Sequence, residues 1–312
     1  MISVIIPTAD RPGPLHRALR SLSRQTLRDF EVVVIDDGLH CPRPVVDSWR
    51  HDLNVTLIDG GRQGVSHARN TGLAAARGDW VAFLDDDDVY FPHHLATAHR
   101  ALQDGHADLV YGGALVSPRW IEAVPRDVGT LPRKDYPFDG RFLQVANYIH
   151  TGAVVTRNFT ATPVRFDETL THCEDWDLWL ALHLGSGYRF TLLDGLTCVY
   201  HQVPHTTGAV SEAYLASPTP FTLTRAYLFA KWPSTDPLVT SYRDWFRHFD
   251  TRLDTRIEHG HPVPAHVYEH AIRNLHGPFT YASPADPSLL DSLLPAVTDT
   301  RSARRGTSHA SS

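Results

Sequence analysis

The run Val81–Asp88, VAFLDDDD, carries four hydrophobic residues straight into four adjacent carboxylates. Like charges this close repel, and no lysine or arginine lies within or beside the run. Hard divalent cations offset such repulsion. Mg2+ and Mn2+ take oxygen ligands, commonly one or two carboxylates together with substrate phosphates. Asp85, Asp86, Asp87 and Asp88 therefore read as a turn that holds a cation or a nucleotide. The plainer alternative is an acidic turn that caps the helix starting near Pro92. Position at the rim of a buried strand favours the first reading.

Four other stretches could join that chemistry. Asp36-Asp37-Gly38 also follows an apolar strand, where a carboxylate can accept hydrogen bonds from a nucleobase or a ribose hydroxyl; alone it would be a simple Asp-Gly turn. In GVSHARNTGLAAARGDW, Arg69 lies near the start of a helix that feeds the aspartate strand, and its guanidinium could contact a diphosphate or pair with an aspartate of the turn. In THCEDWDLWLAL, Glu174, Asp175 and Asp177 open an amphipathic helix. Acidic residues there are ordinary dipole partners, but a carboxylate kept ionised at a helix start can also accept a proton from a hydroxyl. His201 and His205 follow a late strand; His201 is read as a further metal or phosphate contact and His205 as a polar loop residue.

The elements that must position these groups come from hydrophobic patterning. Ile2–Pro7, Phe30–Ile35, Val55–Ile58, Trp80–Leu84 and Leu109–Tyr111 are short apolar runs, as expected of strands buried on both faces. Leu15, Leu19 and Leu22 recur at helical spacing, Ser66–Ala76 is rich in helix formers, and Pro92 suits the first turn of a helix running to Leu102. Strand–helix alternation predicts an α/β fold with a mostly parallel sheet flanked by helices, and ligands in such sheets sit beyond the carboxyl ends of the strands. PTADR, DDG and DDDD should converge there. Past residue 115 the pattern loosens into a long loop with a hairpin, a strand at Ala153–Thr156, a helix over Trp176–Leu184, and short strands at Arg189–Leu193 and Thr197–Tyr200. From Ser217 helical patterns dominate. The expected division is a nucleotide-binding half over 1–115, an acceptor half with the base over 116–210, a helical extension over 211–297 and a disordered tail over 298–312.

Composition limits the function. The chain has 312 residues, 42% hydrophobic and 21% charged, with a net charge of −6, which argues against a nucleic-acid binder. Three widely spaced cysteines form no disulfide framework or zinc pattern, which suggests a reducing compartment. No leader or segment long enough to span a bilayer is evident, so a cytoplasmic location without an integral membrane segment is expected.

As a set, SVIIPTADRP, FEVVVIDDG, GVSHARNTGLAAARGDWVAFLDDDDVYFPHHL and CEDWDLWLAL resemble a family 2 inverting glycosyltransferase of the GT-A (Rossmann-like) fold. The resemblance covers residues 1–205. It implies a nucleoside-diphosphate sugar donor, with a UDP-sugar as the leading candidate, a hydroxyl-bearing acceptor, and Mn2+ or Mg2+. It places Pro7, Thr8, Asp10, Asp36 and Asp37 at the nucleoside pocket, with Asp10 standing where Asn is more usual. It places Arg69, Asp85 and Asp86 at the nucleotide sugar and Asp87 on the metal, with Asp88 competing because the fourth aspartate blurs the register. Asp175 matches the general base. The usual Tyr-Arg-any-His reads Tyr200-His201-Gln202-Val203 here, leaving His201 as a candidate metal contact. Any homodimer would use the C-terminal helices. The competing readings are a sugar-phosphate nucleotidyltransferase, although the loop after the first strand lacks repeated glycines and lysine, and a non-catalytic protein of the same fold that binds nucleotide sugar.

Overall fold

The computed structural model describes residues 1–121, 125, 128–129, 131–203 and 213–296. Seven successive buried residues form β1 (Ile2–Thr8), the centre of the first half of the sheet. Helices cover both its faces, so the strand needs no polar side. β2 (Phe30–Asp36), β3 (Val55–Asp59) and β4 (Trp80–Phe83) join it in parallel, with Thr8 opposite Asp36 and Ile5 opposite Phe83. α1 (Pro12–Ser23) buries Leu15, Ala18, Leu19 and Leu22, and the short α2 (Arg43–Asp47) leads towards β3. α3 (Val65–Ala75) lies so close to β1 that a methyl group at Gly72 would overlap Ile5. That approach sets the depth of Arg69, one turn earlier.

The second half reverses direction. With β5 (Val89–Tyr90), β6 (Leu109–Ser117), β8 (Val154–Arg157) and β9 (Phe190–His201), the sheet runs β3-β2-β1-β4-β8-β6-β9-β5 among the described residues, and β8 is antiparallel to both β4 and β6. β6 runs parallel to β9, and β5 closes that edge. The hairpin expected in the long loop is present as β7 (Arg133–Lys134) paired with β6. The two short strands expected around Asp194-Gly195 are one strand, β9. Its extra residues are absorbed by register shifts opposite Gly113, with Gly195 at a φ of 77°. α4 (His94–Gln103) begins two residues after Pro92. α5 (Gly140–Leu143) is capped by Asp139, and α6 (Glu174–Leu180) passes into a wider π turn over Ala181–Gly185.

The C-terminal extension consists of α7 (Pro220–Lys231), α8 (Pro237–Glu258), α9 (Val267–Thr280) and α10 (Pro287–Leu293). Thr219, Asp236 and Asp286 each cap a helix with a proline at its start. Buried Tyr242, Phe246, Phe249 and Phe279 join the same apolar core as the sheet, and Arg243 Nε donates to the Gln144 carbonyl at 2.8 Å. Among the described residues no helix is long and apolar enough to cross a membrane. His205 and the expected C-terminal tail lie outside the described residues.

Candidate active site

Parallel register brings three carboxylate-bearing strand ends to one rim. Asp37 N donates to Thr8 O at 2.8 Å, and Leu84 N to Ile5 O at 3.0 Å. Asp10 adopts a left-handed φ of 57°, which aspartate tolerates better than most residues. Its carboxylate accepts from Leu39 N (3.0 Å) and His40 N (2.7 Å), clasping the loop after β2. Asp36 accepts from Gly38 N (3.2 Å), while Asp37 accepts from Gln63 N (2.9 Å) and Gly64 N (2.8 Å). Pro7 is buried within β1. Together these contacts make a fixed floor beside the aspartate turn.

The four aspartates have four different surroundings. Asp85, half-buried, accepts from Arg69 Nη2 at 2.6 Å. Asp86 is fully buried; Thr8 Oγ1 donates to it at 2.6 Å, and Arg11 donates through Nε at 3.2 Å and pairs with it through Nη2. Asp87 opens to solvent and pairs with Arg11 Nη1 at 2.8 Å. Asp88 is buried, accepting from His150 Nε2 (2.8 Å) and from the His201 backbone N–H (2.8 Å). Burial and the charge of Asp88 push Asp87 up, against the pull of Arg11. Burial also opposes the charge on Asp88, but the His150 and His201 imidazoles hold it below the usual carboxylate range.

Burial pushes Asp86 up to about 7 despite Arg11 and Thr8. A carboxyl whose folded pKa exceeds its unfolded value contributes stability below the unfolded pKa and loses it as pH rises through the folded one. Wild type should therefore lose stability between about pH 4 and pH 7 from this group. The melting temperature of Asp86→Asn relative to wild type is expected to be higher at pH 8 than at pH 5, because the amide has no charge to bury, as read by thermal melts at both values. Equal gaps at the two pH values would contradict the assignment.

Across the rim, Arg69 joins the two halves. Its guanidinium is buried between Asp85 and Glu174, the latter held through Nη1. Burial works against its charge, but the two carboxylates more than offset that cost. The next residue, Asp175, accepts from Asn147 Nδ2 at 3.1 Å to each oxygen, from Thr151 Oγ1 at 2.7 Å and from Trp176 N at 2.8 Å. Those donors hold the carboxylate in one orientation. His150 and Thr151 are adjacent, so one short segment grips Asp88 with one residue and Asp175 with the next. Asn147 must present its NH2 to the carboxylate, which leaves its own buried Oδ1 without a partner.

Three of the expected site residues have protein partners. Arg69, read as a contact for a diphosphate or as a partner of an aspartate of the turn, has its Nη1 and Nη2 engaged by Glu174 and Asp85 and is only 3% exposed. His201, expected as a metal contact, donates from Nδ1 to Asp87 O (2.7 Å) and accepts at Nε2 from Ile121 N (3.0 Å), so both ring nitrogens are used. Asp88, expected as a competing metal ligand, has both oxygens committed to the histidine segments and no open face. Arg11, Asn147, His150 and Thr151 were not singled out in the sequence. Arg11 stands within PTADR and was legible as the cation nearest the rim; the others carry no pattern. Among the described residues no three His, Cys, Asp or Glu side chains gather as a closed metal cage. The rim suits a hard cation that takes one or two carboxylates and completes its shell with substrate oxygens, because Asp85 and Asp87 are the two half-open carboxylates of the turn.

Residues 3–160, just over half the chain, match the family described as glycosyl transferase family 2. The GalNAc(5)-diNAcBac-PP-undecaprenol beta-1,3-glucosyltransferase of Campylobacter jejuni is 34% identical over 217 residues, 68% of this chain and 69% of the relative. Other curated relatives, 42% and 38% identical, align over 35% and 31% of their own length, so this chain spans about a third of each. Among solved structures, S. aureus TarS 1–349 in complex with UDP-GlcNAc superposes with a TM-score of 0.61 at 18% identity, covering 98% of this chain and 92% of that one. The mannosyltransferase PcManGT of Pyrobaculum calidifontis, in complex with GDP-Man and Mn2+, gives 0.53 at 19% identity over 94% and 85%. The family match over residues 3–160, with the Campylobacter relative aligned over two thirds of both chains, makes this chain a member of glycosyltransferase family 2.

Proposed function

We propose that the protein transfers a sugar from a UDP-sugar to an acceptor hydroxyl by a single, inverting displacement, with Asp175 as general base. The observation that carries this reading is the pair of ties across the rim: Arg69 links Asp85 to Glu174, and the His150–Thr151 segment links Asp88 to Asp175. These ties hold Asp175 and the aspartate turn close together. The nucleoside lies along the floor built by Thr8, Asp10, Asp36 and Asp37. A divalent cation held by Asp87, with Asp85 beside it, would supply positive charge to the departing diphosphate. Asp88 and His201 are left out of that ligand set, because their atoms shape the turn from beneath.

Asp175 takes the proton of the acceptor hydroxyl as its oxygen forms the bond to the anomeric carbon. The bond to the diphosphate oxygen breaks on the opposite face, carrying its electron pair away. Asn147 and Thr151 keep the carboxylate oriented while its charge is consumed. One displacement turns an α-linked donor into a β-glycoside, and the Campylobacter relative is named for a β linkage. The UDP-GlcNAc complex of TarS favours uracil as the base, and the Mn2+ complex of PcManGT favours a divalent cation.

A thermal-shift panel of UDP, GDP, UDP-glucose and UDP-GlcNAc, with and without Mn2+, tests the reading. Stabilisation by UDP compounds should appear with Mn2+ and largely vanish with EDTA. Stabilisation by GDP compounds alone would move the base assignment. A product that keeps the donor's anomeric configuration would end the single-displacement mechanism.

A further inference from the structure

Asn147, which presents its amide to Asp175, lies in an irregular stretch between α5 and β8. Its backbone is bracketed by one side chain of the C-terminal extension. The Tyr268 hydroxyl accepts from Asn147 N at 3.1 Å and donates to Asn147 O at 3.3 Å. A tyrosine does both only while protonated, and burial drives its pKa upward.

Tyr268 is the second residue of α9, and its neighbours grip the other side of the site. Glu269 Oε1 accepts from Gln202 Nε2 at 2.9 Å, and His266 Nδ1 lies 3.0 Å from Gln202 Oε1. Gln202 directly follows His201, whose backbone N–H donates to Asp88. Beneath, Arg225 of α7 is ion-paired with Asp250 of α8 at 2.7 Å. Its guanidinium sits 5.4 Å from the Tyr268 ring, 4.6 Å from Phe246 and 5.8 Å from Trp176. Trp176 follows Asp175 and donates its backbone N–H to it. The extension thus touches the residue after the base, the residue that orients the base, and the strand end behind the aspartate turn.

We propose that Tyr268 is a positioning residue: its hydroxyl, carried by the C-terminal helical extension, fixes Asn147 and through it the orientation of Asp175. The extension then acts on the chemical step and is more than a cover for the sheet. This inference rests on Asp175 being the base.

The test compares wild type with Tyr268→Phe and with Tyr242→Phe. Tyr242 is a second buried tyrosine of the extension, whose hydroxyl donates to Ser283 O at 2.9 Å, away from Asn147. Each variant loses one buried hydroxyl and keeps its ring. Hydrolysis of UDP-glucose and UDP-GlcNAc with Mn2+ gives kcat and KM, with water as the acceptor. Hydrogen exchange over residues 144–151, without donor, reads the bracket directly. Tyr268→Phe should lower kcat about tenfold, keep KM within about twofold of wild type and speed exchange over 144–151. Tyr242→Phe should do neither, even at an equal loss of melting temperature. Unchanged kcat and protection in Tyr268→Phe, or equal falls in kcat for the two variants, would overturn the proposal while leaving the transferase reading intact. A wild type that neither binds nor turns over any donor would remove that reading, and this inference with it.

Discussion

Asp175→Asn is expected to lower the chemical step by about a hundredfold or more while leaving UDP affinity close to wild type. The substitution keeps the shape of the side chain and removes its ability to accept a proton. Thr151 Oγ1 donates to one carboxylate oxygen and Trp176 N to the other, so the single oxygen of the asparagine keeps one of these two bonds. The new NH2 would meet the NH2 of Asn147, which lies 3.1 Å from both carboxylate oxygens. One of those two amides must turn, a local change that does not reach the nucleoside floor at Thr8 and Asp37. Calorimetry with UDP and initial rates with a UDP-sugar separate the two effects. A purified Asp175→Asn that turned over like wild type would remove Asp175 as base. A loss confined to UDP binding would move the residue to the donor side of the cleft.

Asp87→Ala should produce the second large effect, and Asp88→Ala should differ from it in kind. Asp87 pairs with Arg11 Nη1 and is only half-buried. Its removal is expected to cut Mn2+-dependent turnover by about two orders of magnitude or more and abolish the Mn2+-dependent part of the UDP thermal shift. Melting temperature without ligand should change little, because burial penalises the charge that is removed. Asp88 is buried against His150 and the His201 backbone. Removing it strands a buried imidazole and an unpaired N–H, a change on the order of 3–5 kcal/mol in stability. Melting curves taken beside Mn2+ titrations distinguish the pair. If Asp87→Ala unfolds readily and Asp88→Ala stays folded but loses Mn2+ binding, the assignments must be exchanged.

The buried position of Arg69 shows how the two halves of the molecule depend on each other. A guanidinium held by Asp85 on one side and Glu174 on the other carries structural information between segments 105 residues apart. Its burial is tolerable only because two carboxylates face it, and burial pushes the pKa of Glu174 up against that pairing. The close fit of Gly72 against Ile5 keeps α3, and with it Arg69, at the depth where both contacts are made.

The sequence by itself determined what local pattern can carry. Apolar runs located β1, β2 and β4, because a strand buried on both faces must be largely apolar along its length; β3 was expected to be buried likewise but stands at the sheet edge, with Thr56 exposed and Leu57 and Ile58 only half-buried. Carboxylates placed directly after those runs had to fall on one rim, because parallel strands share the direction of their ends. Tertiary structure alone decided which of four adjacent aspartates is open and which is sealed, since identical residues differ there only in what packs on them. It also decided the partners of Asp175: Asn147 and Thr151 stand 28 and 24 residues away in the sequence, and Tyr268, which brackets Asn147, stands 121 residues from it, in segments whose polar residues follow no period. Asp194-Gly195 looks like a turn in isolation, yet pairing with β6 draws it into a single strand. Local chemistry proposes conformations residue by residue, whereas hydrogen bonds between distant segments form only once burial has brought those segments together.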